Sequence, residues 1–133
     1  PRQRPSSPYS GVISIFLDCL RRKAPPVIYG DGRQTRDFIS VHDVVHANIL
    51  AMSHPQPLQG ECFNVATGRS VTILEVWDEL CRITNVRIEP KFAEARAGDI
   101  KTSSASIEKI RKVLEFSPMK PFAEALRALA ESR

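Results

Sequence analysis

Apolar residues recur at helical spacing from residue 11 onward. Val12, Ile15, Phe16, Cys19 and Leu20 fall on one face, which predicts a helix over roughly 11–23. Arg21, Arg22 and Lys23 suit its C-terminal end, where partial negative charge collects, and Pro25 and Pro26 stop it. The stretch before it, residues 1–10, is rich in Pro and Ser and reads as an extended lead-in. "VIY" (27–29) and "RDFI" (36–39) read as short strands on either side of the turn "GDGRQT". Ser40 then opens a helix over 41–53, with Ser40 and Asp43 placed as a capping box in which Asp replaces Glu. That helix has few polar positions (His42, His46, Asn48), so both of its faces are expected to be buried.

After the loop "HPQPLQG", the pattern predicts a strand "ECFNVA", a turn "TGRS" and a helix through about Ile83. Thr72 and Glu75 form a capping box at the start of that helix. "VRIEPKF" follows as a further strand, so residues 61–92 read as a βαβ unit with a parallel strand pair. "AEARAGDIKTSSA" reads as a loop. Ser106 is placed to cap a short helix "IEKIRKVLEF", which Pro118 terminates. The last segment, "PFAEALRALAES", is amphipathic, with Phe122, Leu126 and Leu129 on one face. The predicted class is α/β: a small domain with short strands, a parallel βαβ unit and more helix than strand.

Composition narrows the function classes. The 133 residues suffice for one domain with a modest core, and 42% hydrophobic content argues against disorder. The longest apolar stretch is broken by Asp18 and is too short to span a bilayer, and no signal-peptide pattern opens the chain. No initiator Met is present, so a piece of something longer is expected. Cys19, Cys62 and Cys81 are odd in number and form no CxxC pair, which favours reduced thiols in a cytoplasmic protein; a single disulfide is the other option. The net charge of +4 comes from 19 basic and 15 acidic residues. The basic residues are scattered apart from Arg21–Lys23 and the pair Arg2 and Arg4, with no interleaved aromatics. This favours a few arginines aimed at a small anionic ligand over a nucleic-acid surface.

Two loops could carry that chemistry. In "YGDGRQTRDF", Gly30 and Gly32 permit positive φ or close approach to a ligand, and Arg36 can grip phosphate oxygens through two parallel hydrogen bonds. The plainer alternative is a β-turn with a surface ion pair between Arg36 and Asp37. In "RAGD", Arg96 could meet a phosphate and Asp99 could accept from sugar hydroxyls; a solvated loop is the alternative. His42 and His46 share a helix face but have no third ligand in view, so no metal site is assigned. There is no GxSxG, and "ATGRS" lacks Walker spacing and its Lys, so it reads as a turn.

Six blocks run in a recognisable order: "SPYSGVISIF", "IYGDGRQTRDFISVHDVVHANILAM", "FNVATGRSVTILEV", "RAGDIKTSSASIEKIRKVLEFSP" and "FAEALR", preceded by "PRQ". Together they resemble the C-terminal part of the NAD-dependent nucleotide-sugar epimerase/dehydratase family, the extended short-chain dehydrogenase/reductases. The similarity is greatest to bacterial UDP-glucose and UDP-N-acetylglucosamine 4-epimerases. The family's Gly-rich fingerprint and catalytic Tyr-x-x-x-Lys do not occur here: Tyr9 is followed four residues on by Ile13, and Tyr29 by Arg33. The resemblance therefore implies a substrate-binding domain over 1–133 without the N-terminal Rossmann half. No catalytic residue and no cofactor are expected in this chain, and NAD is implied for the full-length parent.

It further implies that Gly11, Val12 and Ile13 line a nucleotide pocket and that Tyr29 lies against the uracil ring. Arg36 would contact the pyrophosphate with Phe38 behind it, Arg96 and Asp99 would serve phosphate and ribose, and Ser103 would stand near the hexose. Ala97 replaces the family's usual Pro, and Glu115 and Ala125 stand where relatives have Gly. Expected partners are a UDP-sugar, the Rossmann half and further copies of the chain, with no nucleic acid and no membrane. A dehydratase or reductase parent, or a basic interaction module, are the competing readings.

Overall fold

The computed structural model describes Gln3 and residues 10–132. Three helices enclose the larger of two apolar clusters. The first, α1 (Val12–Arg22), starts from Gly11 and ends at Lys23, whose left-handed conformation lets its N–H reach the Cys19 and Leu20 carbonyls. The central one, α3 (Ile73–Thr84), lies between α1 and α5 (Phe122–Glu131). The apolar faces read from the sequence meet here: Phe16, Leu17 and Leu20 of α1 pack with Val76, Trp77 and Leu80 of α3 and Leu126 of α5. The Trp77 ring meets Phe16 edge-on at 5.2 Å, and its indole N–H donates to the Ile88 carbonyl at 3.0 Å, so the buried ring leaves no polar group unpaired. Phe122 and Leu129 of α5 pack against the same cluster, as the amphipathic pattern requires.

The smaller cluster joins α2 (Val41–Met52) to α4 (Glu108–Leu114) through Ala47, Ile110, Leu114 and Phe116. Ser40 caps α2 by accepting from the His42 amide at 3.2 Å. The expected capping-box partner, Asp43, does not reach back to Ser40. It is fully buried and accepts instead from the Met119 and Lys120 amides, at 3.0 and 3.4 Å. The box at α3 does form, with Glu75 N–H to Thr72 Oγ1 at 3.1 Å and Thr72 N–H to Glu75 Oε2 at 2.6 Å.

The strands depart more from expectation. The α/β class holds, with short strands and a parallel pair, but the pair is not the one read from residues 61–92. β1 (Val27–Tyr29) and β4 (Lys91–Ala93) are parallel, with Ile28 opposite Phe92. β2 (Thr35–Arg36) and β3 (Val71–Thr72) are antiparallel, with Thr35 opposite Thr72. "ECFNVA" forms no strand; Phe63 and Val65 pack on the smaller cluster, and its backbone has no ladder partner among the described residues. In "VRIEPKF" the ladder begins only after Pro90, which has no N–H to give; Lys91 then donates to the Pro26 carbonyl at 2.9 Å. "RDFI" likewise contributes only Arg36 to β2. The lead-in read over 1–10 lies, apart from Gln3 and Ser10, outside the described residues.

All three cysteines are free thiols. Burial pushes the Cys19 thiol up, with the Asp18 charge adding to it, and burial likewise raises Cys81. No helix among the described residues is long and apolar enough to cross a membrane.

Candidate functional site

The turn after β1 is shaped by its two glycines. Gly30 and Gly32 both adopt positive φ (75° and 73°), and a Cβ on Gly32 would come within 2.6 Å of the Leu74 side chain. That close approach lets the turn serve the start of α3. Ile73 N–H donates to the Gln34 carbonyl and Leu74 N–H to the Gly32 carbonyl, both at 3.1 Å, so two amides of the first helical turn find acceptors in the loop. Arg33 N–H donates to Asp31 Oδ1 at 3.0 Å, and Gln34 Nε2 donates to the Tyr29 carbonyl at 2.9 Å, which closes the turn on itself.

β2 then delivers Arg36 to a cleft of about 570 Å³. Its guanidinium donates from Nη1 to the Thr35 and Ile100 carbonyls, at 2.8 and 2.6 Å, and from Nη2 to Asp99 Oδ1 at 2.8 Å. Three of its five N–H donors are thus engaged with described residues. The alternative pairing of Arg36 with Asp37 does not form; Arg36 pairs instead with Asp99, 63 residues on. Asp37 turns to the other side. There its carboxylate accepts from Thr67 N–H and Oγ1, at 2.9 and 2.6 Å, and from Gly68 N–H at 2.8 Å, organising the turn before β3.

The second loop closes the cleft. Asp99 N–H donates to the Arg96 carbonyl at 3.1 Å around Gly98, which has φ of 80°. Arg96 lays its guanidinium over the Tyr29 ring, 3.8 Å from the ring centre. Gly11 and Val12, at the start of α1, complete one wall, and Phe38 lies beyond Arg36.

Seven of the nine residues singled out from the sequence therefore border one cleft: Gly11, Val12, Tyr29, Arg36, Phe38, Arg96 and Asp99. Ile13 does not border it and faces a separate apolar groove beside α5. Ser103 is exposed on the segment that runs along β2, its amide donating to the Thr35 carbonyl at 3.1 Å. Gln34 lines the cleft and escaped the sequence reading. Its one visible signal is its position two residues before Arg36, inside a turn too polar for a simple connection. No cluster of three or more His, Cys, Asp or Glu side chains suited to a metal occurs among the described residues.

Among the described residues, the glycine turn after β1 leads into β2 rather than straight into a helix N-terminus, the arrangement a dinucleotide pyrophosphate uses, and each of the two sheets has two strands.

The cleft is thus built from a glycine turn, an aromatic ring covered by a guanidinium, and two arginines. Residues 1–66 match the NAD dependent epimerase/dehydratase family, and the chain belongs to that family. It is 33% identical over 98% of its length to a UDP-glucose 4-epimerase of Mycolicibacterium smegmatis, covering 41% of that relative. A crystal structure of the Thermotoga maritima UDP-glucose 4-epimerase with UDP-glucose superposes with a TM-score of 0.89 at 35% identity, over 98% of this chain and 41% of that one. A UDP-N-acetylglucosamine 4-epimerase from Methanobrevibacter ruminantium, in complex with UDP-N-acetylmuramic acid, gives 0.88 at 37% identity, again over 98% and 41%. The chain thus spans about two fifths of the length of these three relatives.

Proposed function

We propose that residues 1–133 are the C-terminal, UDP-sugar-binding domain of an NAD-dependent UDP-hexose 4-epimerase, catalytically incomplete without the Rossmann half. The observation that supports it best is the convergence of Tyr29, Arg36, Arg96 and Asp99, from separate loops, on one cleft that also takes in the start of α1. The uracil ring lies against Tyr29, the diphosphate sits between Arg36 and Arg96, and Asp99 accepts from the ribose. Gly11 and Val12 form the wall behind the nucleoside, Ile13 supports that wall from the groove side, and Phe38 backs Arg36. Ser103 stands toward the hexose, held at a fixed distance from Arg36 by its bond to Thr35. NAD would bind to polypeptide outside these residues. The three free thiols support a cytoplasmic setting.

The test is titration calorimetry with UDP and UDP-glucose. Arg36→Ala removes charge-assisted hydrogen bonds worth roughly 1.5–3 kcal/mol and should weaken UDP about tenfold or more. Equal affinity for wild type and variant would overturn the reading. Salt-sensitive oligonucleotide binding that UDP does not displace would point to a basic interaction surface instead.

A further inference from the structure

We infer that Arg96 makes this cleft discriminate a nucleoside diphosphate from a nucleoside. The inference rests on the nucleotide-site reading above. The Arg96 guanidinium covers a face of the ring proposed to receive the base, 3.8 Å from its centre. The loop that carries it is anchored at its far end, where Arg36 grips Asp99 and the Ile100 carbonyl. Arg96 itself is exposed and has no carboxylate partner among the described residues.

A base that takes this face must displace the guanidinium. A nucleoside offers the displaced cation nothing in return, so it binds against the lost cation–π contact. A nucleoside diphosphate displaces the same contact but gives the guanidinium phosphate oxygens, which bind it more strongly than an aromatic face does. Inorganic pyrophosphate draws Arg96 off the ring but brings no base to replace it. The cleft therefore responds fully only to a ligand that carries both ends on one molecule.

The experiment compares uridine, UDP and inorganic pyrophosphate on the full chain, wild type and Arg96→Ala, by NMR and calorimetric titration. The substitution is expected to strengthen uridine roughly two- to fivefold, the size of an exposed cation–π contact. The same substitution should weaken UDP about tenfold or more. In a Tyr29→Leu background the gain for uridine should disappear, because no ring is left to uncover. In the wild type, the Arg96 side-chain protons should be shielded by the Tyr29 ring and lose that shielding as UDP saturates the site. Loss of affinity for both ligands, unchanged uridine affinity, or no detectable uridine binding to Arg96→Ala overturns the inference. If the wild type binds UDP, only the inference falls with those results. If the wild type binds no UDP at all, the nucleotide-site reading falls with it.

Discussion

Asp43 shows how much one side chain can organise. It sits in the first turn of α2, where a carboxylate is favoured by the helix dipole, and it is fully buried. Its two oxygens accept from consecutive amides, Met119 and Lys120, on the segment that leads into α5. Asp43→Ala would take the acceptor from both part-buried amides. The expected loss is about 2 kcal/mol of folding stability, measured by urea denaturation, with Asp43→Asn losing less because its amide oxygen still accepts. The sequence displays Asp43 three residues after Ser40, which invites a capping box. Nothing local reveals that the chain returns 76 residues later with two free amides. The same limit hid the bond between Arg36 and Asp99, while the residue types themselves, two arginines and an aspartate in polar glycine loops, picked out two loops that the fold brings to one cleft.

At the scale of elements, helices were legible and strands were not. The α1, α3 and α5 faces follow from spacing, and caps and prolines place their ends within a residue or two. Strand pairing depends on which backbone lies alongside, and alternation such as Phe63 and Val65 reports only an extended chain half-buried on one side. The helix α4 ends earlier than its pattern suggests, at Glu115, which takes a left-handed conformation (φ 54°) where relatives were expected to carry Gly. The capping box at α3 makes a pH prediction. Hydrogen bonds from the Thr72 backbone and hydroxyl hold the Glu75 carboxyl below its ordinary value of 4.5. A depressed folded pKa contributes stability above the unfolded value and loses it as pH falls through the folded one. The stability difference between wild type and Glu75→Gln should therefore be largest near neutral pH and shrink steadily below pH ~4.5. The effect is small because Glu75 is exposed, so thermal melts across the acid range are the suitable measurement.

The molecule as a whole leaves one helix half covered. Only Asp43 and Ala47 of α2 are buried, while Val41, Val45, Ile49 and Met52 are 64%, 51%, 55% and 87% exposed along one stripe. The sequence anticipated burial on both faces, and a stripe of this kind does not stay in water readily. We expect the 133-residue chain to self-associate as its concentration rises, and Val45→Glu with Ile49→Glu to restore a monomer in light scattering; a monomeric wild type at high concentration would refute this. The neighbours Arg36 and Asp37 carry a different lesson about how such a chain can change. One faces the cleft and the other faces the turn at Thr67 and Gly68, because successive side chains in an extended segment point to opposite sides. The register of β2 against β3 is therefore a matter of parity. A slip of one residue in that pairing would turn the guanidinium toward the turn and the carboxylate toward the cleft. A recognition site that looks like a set of residues is equally a constraint on counting.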